Sequence, residues 1–317
     1  MALNKISAPT LVQLLNAHLH NSVENKYAFS AWRLPGMQEY HILYGPSEDL
    51  KENFLPENAN TGFCFYPFEA KNERTGFFIK QKLHVRVNAS GEVLYSSSKE
   101  GKDLLSENQT NFYQGENIRF ASNDANFHKT VALAIQSIEQ SPVLKKVVLA
   151  RNKEVSTPNV DPALIFKNLS NKYPNAFISL TSHPIAGTWI GASPEILVSV
   201  DKNKIFRTVA LAGTQAASST PSEAVWTQKE IEEQALVSRY IINCFKHIRL
   251  REFEEDGPET IKAGNLFHLK TSFSVNTREV NNPQLGGEML QLLHPTSAVC
   301  GMPKEEASDF INKNEKI

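Results

Sequence analysis

Five short segments hold the residues whose types and spacing could do chemistry. The first is Lys146-Val147-Val148-Leu149-Ala150-Arg151, a lysine opening an apolar strand. Partial desolvation there disfavours the ammonium and would let the amine take a proton from water; the plainer alternative is a strand-end charge. The second runs from Trp189 to Val198 and carries Glu195 after the turn formers Gly191, Ser193 and Pro194. A rigid turn could deliver that carboxyl into a cleft, where burial would favour its protonated form and suit it to be a general acid. In a plain hairpin it would be solvated. The third, Thr208-Val209-Ala210-Leu211-Ala212-Gly213-Thr214, is built of small residues that let backbone approach closely. Its N–H groups could hold a carboxylate, or the segment could simply pack tightly.

The fourth segment, Lys229 to Val237, places Glu230, Glu232 and Glu233 near a helix N-terminus, where the dipole stabilises them. A solvated acidic face is one reading. Glu233, however, lies beside the apolar stripe, between Ile231 and Ala235. A carboxylate there could point inward to a hard cation such as Mg²⁺, which takes one or two protein carboxylates and keeps waters. The fifth is a pair, His268-Leu269-Lys270-Thr271 and then Leu293 to Ala307, where Pro295, Gly301 and Pro303 fix an irregular backbone. A lone histidine such as His268 or His294 is more often a hydrogen-bonded structural residue than a catalyst. The chain has no G-x-S-x-G, no Walker loop, no dinucleotide fingerprint and no H-E-x-x-H.

The elements that must position these residues follow from periodicity. Leu11, Leu14, Leu15 and Leu19 predict a helix. Strands are predicted at 28–33, 40–44, 62–67 and 76–87, the last turning at Asn88-Ala89-Ser90-Gly91 into Val93-Leu94-Tyr95. Residues 97–118 are polar and suggest an exposed connection. Ser122, Asn123 and Asp124 offer caps for a helix with Phe127, Val131, Ala134, Ile135 and Ile138 on one face. Beyond the Lys146 strand, a helix is predicted at 161–172 and strands at 176–182, 187–191 and 195–200. A longer helix over 228–250 should turn Ile231, Ala235, Ile241, Ile242, Phe245 and Ile248 to the core. Helices mixed with strands on short turns, rather than regular βαβ crossovers, predict an α+β fold of large, mostly antiparallel sheets with helices packed outside.

Bulk composition narrows the partner. The 317 residues are 41% hydrophobic and 21% charged with a net charge of −1, an ordinary globular balance. No basic field invites nucleic acid and no polybasic segment invites anionic lipid, so a small molecule is the expected partner. Cys64, Cys244 and Cys300 form neither a disulfide framework nor a zinc pattern. No apolar run reaches the length of a membrane span, and the N-terminus lacks an apolar signal region, so the cytoplasm is the expected address.

Taken in this order and at these separations, the five segments resemble the chorismate-utilising enzymes: isochorismate, salicylate, anthranilate and aminodeoxychorismate synthases. The resemblance runs from Phe127 to Ala307. It implies the anthranilate synthase-like α+β fold, with 1–118 a variable N-terminal portion and 119–317 the chorismate-binding catalytic core. Members of the family that add water are similar to this chain in having lysine before the Val-Val-Leu strand, whereas the amine-transferring members typically lack it. By that resemblance Lys146 would activate water to attack C2 of chorismate, and Glu195 would protonate the hydroxyl leaving C4. Glu233 would be a ligand of the Mg²⁺ that binds the ring carboxylate. The backbone at Ala212, Gly213 and Thr214 would face the substrate, with His268 and Thr271 lining the pocket.

The implied activity is that of an isochorismate synthase serving menaquinone or a catechol siderophore. The rivals are a salicylate synthase, which would keep Lys146 and then expel pyruvate, and a non-catalytic remnant. Two departures bear on the choice. The family usually has Glu-His where this chain has Glu233-Gln234, although a glutamine can still hydrogen-bond. After the Pro-Lys-Glu-Glu-Ala helix the family continues into an Arg-Tyr-Gly segment, a second magnesium-binding glutamate and basic residues, whereas this sequence stops at Ile317. A missing C-terminal segment is therefore the expectation. Chorismate is the expected partner, with no nucleic acid and no membrane, and a monomer is favoured.

Overall fold

The computed structural model describes residues 9–50, 54–68, 76–98, 111–115, 124–217, 220–263 and 266–315. The proposed caps Ser122 and Asn123, and most of the 97–118 connection, lie outside these residues. The chain forms two compact units: one draws on Met1–Phe54, Asn58–Ile118 and Pro158–Glu195, the other on Leu55–Glu57, Arg119–Thr157 and Ile196–Ile317.

The first unit opens with α1 (Leu11–Glu24), started by a capping box in which Thr10 Oγ1 accepts from Gln13 N–H and Gln13 Oε1 accepts from Thr10 N–H. Leu11, Leu14, Leu15 and Leu19 are all buried, as their spacing requires. The strands β1 (Ala28–Arg33), β2 (Glu39–Gly45), β3 (Ser47–Asp49), β4 (Gly62–Phe65), β5 (Phe77–Lys80), β6 (Leu83–Asn88) and β7 (Val93–Ser96) follow. The chain then builds α2 (Asp124–Gln140) and β8 (Lys146–Val147) of the second unit. It returns to the first for α3 (Pro162–Lys172), β9 (Phe177–His183) and β10 (Gly187–Ser193). The six-stranded sheet has the order β10-β9-β1-β2-β6-β7, every pair antiparallel, so segments from both sides of residue 118 share one sheet. Its inner face packs Phe29, Ile42, Val85, Ile178 and Leu180 against α1 and α3.

The single strand predicted over 76–87 is two. The chain breaks at Gln81-Lys82, where Lys82 N–H bonds to Tyr44 O at 3.0 Å. β5 joins β3 and β4 in a small sheet while β6 joins the large one. Arg33, buried at the end of β1, donates to the carbonyls of Tyr173 (2.7 Å), Pro174 (2.6 Å) and Ala176 (3.1 Å) and so fixes the turn between α3 and β9.

The second unit is a four-stranded antiparallel sheet in the order β11-β12-β14-β13, formed by β11 (Ser199–Val200), β12 (Ile205–Ala216), β13 (Glu254–Ala263) and β14 (Leu266–Asn276). Across it lies α4 (Gln228–His247), whose Val237, Ile241, Cys244 and Phe245 pack on Phe206, Ala210, Phe273 and Val275. Leu285, Met289 and Leu293 of α5 (Leu285–Leu293) close this core. β15 (Gly301–Met302) and α6 (Lys304–Asn314) complete the unit. Antiparallel sheets with helices packed on them meet the α+β expectation. Among the described residues no helix is long and apolar enough to cross a membrane.

Five further predictions need correction. The strand from Lys146 pairs over Lys146–Val147 alone, and that predicted over 195–200 over Ser199–Val200 alone. The long helix stops at His247, and Arg249 just beyond it has φ 60°, which no α-helix continues through. On α2 the covered stripe is Phe127, Val131, Ala134 and Ile138, while Ile135, one position off that row, is 54% exposed. On α4 Ile231 is 48% exposed, because the row 234–237–241–245 faces the sheet and places the polar Gln234 in the core at 2% exposure.

Candidate active site

Lys146 is set in place by a pairing of two residues with two. β8 runs antiparallel to β15, with Lys146 opposite Met302 and Val147 opposite Gly301. Flanking bonds from Lys145 N–H to Met302 O and from Val148 N–H to Cys300 O, both 2.8 Å, extend the ladder. The approach depends on Gly301, whose φ is +146°; a Cβ there would lie 2.2 Å from the Lys146 carbonyl oxygen. Leu144, Cys300, Ala307 and Ile311 form the small core beneath it. Lys304, at the start of α6, donates its ammonium to the His294 carbonyl and so ties the head of the 294–303 loop to that helix. Burial lowers the pKa of Lys304.

The three glutamates of α4 separate by role. Glu230 closes the capping box: its Oε2 accepts from the N–H (2.8 Å) and hydroxyl of Thr227, and the hydroxyl bond above all holds its carboxyl below the usual carboxylate range. Glu232 accepts from Gln228 Nε2 at 2.9 Å. Glu233 turns to Lys146, with Oε1 2.9 Å from Nζ. The lysine side chain is 18% exposed and the glutamate 36%, so the pair lies partly out of water.

The next residue, Gln234, faces inward and joins the helix to the sheet. Its Oε1 accepts from Ala212 N–H at 2.9 Å, and its Nε2 donates to Ala210 O at 3.2 Å and Thr271 Oγ1 at 2.9 Å. The expectation that Ala212 N–H could hold a carboxylate is thereby corrected, because a buried donor with a partner at that distance is already satisfied. Beside it the β12–β14 register slips: Ala212 opposes Leu269 and Thr214 opposes His268, leaving Gly213 as the extra residue of a bulge. Gly213 has φ +65°, and a Cβ on it would come within 3.2 Å of Glu230 Cβ. Thr214 Oγ1 and His268 Nδ1 are 3.1 Å apart, so His268 is hydrogen-bonded across the strand pair. Thr271 is buried.

Glu195 belongs to the first unit. Gly191 and Ser193 are not turn residues there; they pair with Ser179 and Phe177 in β10, and the turn starts at Pro194. Ser193 Oγ bonds the Glu195 backbone, to N at 3.4 Å and to O at 3.2 Å, and the Glu195 residue is half-buried. A cavity of about 510 Å³ in the second unit is lined by the apolar Trp226, Ile231, Ala235, Ile242, Pro258 and Leu269 and by the polar Gln234, Ser238, Arg239, Glu255 and Thr271; of the residues expected to meet substrate it takes Thr271 alone.

The structure thus brings Lys146 and Glu233 together, sets Thr214 against His268, and joins Ala212 to Thr271 through Gln234. Gln234 is the residue of this arrangement that sequence reasoning undervalued. The signal was its spacing, since it falls on the row of Val237, Ile241 and Phe245. For a cation, Glu233 is a single hard-oxygen donor, and among the described residues no group of three or more His, Cys, Asp or Glu side chains could hold a metal. A lone carboxylate suits Mg²⁺, which keeps most of its waters, better than zinc, which wants three or four protein ligands.

A family model described as "Chorismate binding enzyme" matches residues 56–317. The isochorismate synthase EntC of Escherichia coli K12 is 28% identical over 202 residues, covering 60% of this chain and 49% of that protein. The chloroplastic isochorismate synthase of Catharanthus roseus is 28% identical over 182 residues, covering 55% of this chain and 31% of that one. The chain therefore spans less than half of the length of these relatives. The isochorismate synthase MenF of Bacillus subtilis is 24% identical over 329 residues, covering 94% of this chain and 68% of its own. Among solved structures, the menaquinone-specific isochorismate synthase MenF of E. coli superposes with a TM-score of 0.68 at 20% identity, over 99% of this chain and 77% of that one, which is a likeness of fold. With the match covering most of the sequence, the chain belongs to the chorismate binding enzyme family.

Proposed function

We propose that this chain is an isochorismate synthase, converting chorismate to isochorismate in the cytoplasm in a Mg²⁺-dependent reaction that serves menaquinone or a catechol siderophore. The observation that carries the reading is the 2.9 Å contact of Lys146 with Glu233. It brings the lysine that marks the water-adding members of the family to the carboxylate assigned to the cation. Lys146 takes a proton from water as the water oxygen bonds to C2. The ring double bonds shift, the C4–O bond breaks, and Glu195 gives its proton to the departing hydroxyl, which leaves as water. Water is a poor nucleophile and hydroxide a poor leaving group, so a base and an acid contribute about 10²–10⁴-fold each. A Mg²⁺ ion held by Glu233 would supply charge neutralisation at the ring carboxylate. The backbone about Gly213 and Thr214, with His268 and Thr271, orients the ring.

Incubation with chorismate and Mg²⁺, followed by separation of the products, tests this. Isochorismate without pyruvate is expected. Stoichiometric pyruvate would replace the reading with a salicylate synthase, and absence of any conversion at saturating Mg²⁺ would sink it in favour of a non-catalytic chain.

A further inference from the structure

Every polar atom of the Gln234 amide is engaged in the second unit, although the side chain is only 2% exposed. Its orientation follows from chemistry alone. A backbone N–H can only donate and a carbonyl can only accept, so the amide must present Oε1 to Ala212 N–H and Nε2 to the Ala210 carbonyl. Flipping it would set two donors and two acceptors face to face. The second hydrogen of Nε2 is then aimed at Thr271 Oγ1, 2.9 Å away, and the threonine oxygen is the acceptor of that bond.

This leaves the Thr271 hydroxyl hydrogen to donate elsewhere, and among the described residues no acceptor takes it. Both Gln234 and Thr271 line the cavity of about 510 Å³, whose walls are otherwise apolar apart from Ser238, Arg239 and Glu255. A hydroxyl of fixed polarity in such surroundings favours an oxygen acceptor, and a carboxylate oxygen most of all, because charge-assisted bonds are the stronger kind. The same amide pins the Ala212 side of the Gly213 bulge, so one side chain governs both the shape of β12 and the donor on β14.

We propose that Gln234 is a positioning residue for substrate: it turns Thr271 into a directed hydroxyl donor for a carboxylate of the chorismate-class ligand while it holds the Gly213 bulge in register. The proposal rests on the reading of the chain as an isochorismate synthase and adds to it a residue that acts through Thr271. Gln234→Leu removes the clamp. Gln234→Glu keeps an acceptor for Ala212 N–H but cannot donate to Thr271. Thr271→Val removes the donor, and Thr271→Ser keeps it.

The test is calorimetric titration of the full chain with chorismate in saturating Mg²⁺, with the thermal midpoint of every variant measured alongside. Gln234→Leu, Gln234→Glu and Thr271→Val are each expected to weaken binding about tenfold, the worth of one hydrogen bond to a charged group. Thr271→Ser should bind as the unaltered chain does. In the double variant Gln234→Leu/Thr271→Val the penalties should not multiply, since both remove the same bond. A lowered midpoint with unchanged affinity in Gln234→Leu would make the residue structural only and overturn the proposal. Multiplying penalties would overturn it as well. If the Gln234 variants do not fold, the contrast of Thr271→Val with Thr271→Ser decides alone: equal affinities overturn it. An unaltered chain that binds no chorismate would overturn the functional reading and this inference together, whereas binding that is indifferent to Thr271→Val overturns only the inference.

Discussion

Lys146 Nζ lies 2.9 Å from Glu233 Oε1, so the residue assigned to water and the residue assigned to the cation satisfy one another. The contact joins β8, which is paired with β15, to α4 across a separation of 87 residues. Being partly exposed, it contributes modestly to folding. Exposed pairs are worth about 0–1 kcal/mol, and this one sits near the upper end. On the proposed function its weight is in chemistry rather than in stability.

The first prediction separates those two effects. Lys146→Met and Glu195→Gln should each lower chorismate turnover by about 10²–10⁴-fold. Thermal and urea midpoints should change by no more than about 1 kcal/mol for the lysine variant. Steady-state assay beside denaturation of the same preparations checks this. Retained turnover in either variant removes that residue from its role.

A second prediction concerns the ion. Mg²⁺ and the Lys146 side chain claim the same carboxylate, so they compete. Glu233→Ala should weaken Mg²⁺ binding, and Lys146→Met should strengthen it. The measurement is the Mg²⁺-induced rise in unfolding midpoint, which grows with ligand concentration over Kd and needs no turnover. Identical Mg²⁺ titrations in all three chains would exclude Glu233 as the ligand.

Much of this was legible in the sequence for a physical reason. Where one face alone is buried, periodicity reports it, and Leu11, Leu14, Leu15 and Leu19 are buried as their spacing says. The α+β class was legible as well. What was not legible depends on partners distant in sequence. The Lys146 strand shortens to Lys146–Val147 because only Gly301–Met302 pairs with it. Gln234 counted as a departure from the family's histidine, yet it is the residue that binds Ala212 and Thr271, because hydrogen-bond partners on β12 and β14 leave no mark in the spacing of α4. Ile231 looked apolar enough for the core and stands beside a cavity instead.

A third prediction tests how the lysine is positioned. Any side chain at Gly301 would meet the Lys146 carbonyl oxygen at 2.2 Å and Ala307 Cβ at 2.6 Å, and its φ of +146° strains every other residue. Gly301→Ala should therefore cost about 1–3 kcal/mol and push β15 from β8. Turnover should fall with the loss of the pairing, and amide exchange at Val148, whose N–H bonds Cys300 O, should quicken. Unchanged protection of that amide would show that β8 does not depend on the glycine.

The last prediction follows from a histidine in the wrong solvent. His18 is buried on α1 beneath the six-stranded sheet, and among the described residues neither ring nitrogen has a hydrogen-bond partner. Burial pushes its pKa down to about 4. In the unfolded chain the ring takes a proton near pH 6.5. Between these values the unfolded state binds the extra proton, so stability rises with pH; it is whole above about 6.5 and is lost as pH falls toward about 4. At 1.4 kcal/mol per pH unit the full window amounts to about 3 kcal/mol. His84 and His183 are likewise pushed down to about 4 by burial and add to the slope. His18→Leu fills similar volume with nothing to protonate and no unsatisfied nitrogen. It should be more stable than the unaltered chain at pH 5, and the gain should shrink at pH 7. Urea denaturation at both values checks this, and an equal gain at the two would mean that His18 does not titrate in the unfolding equilibrium.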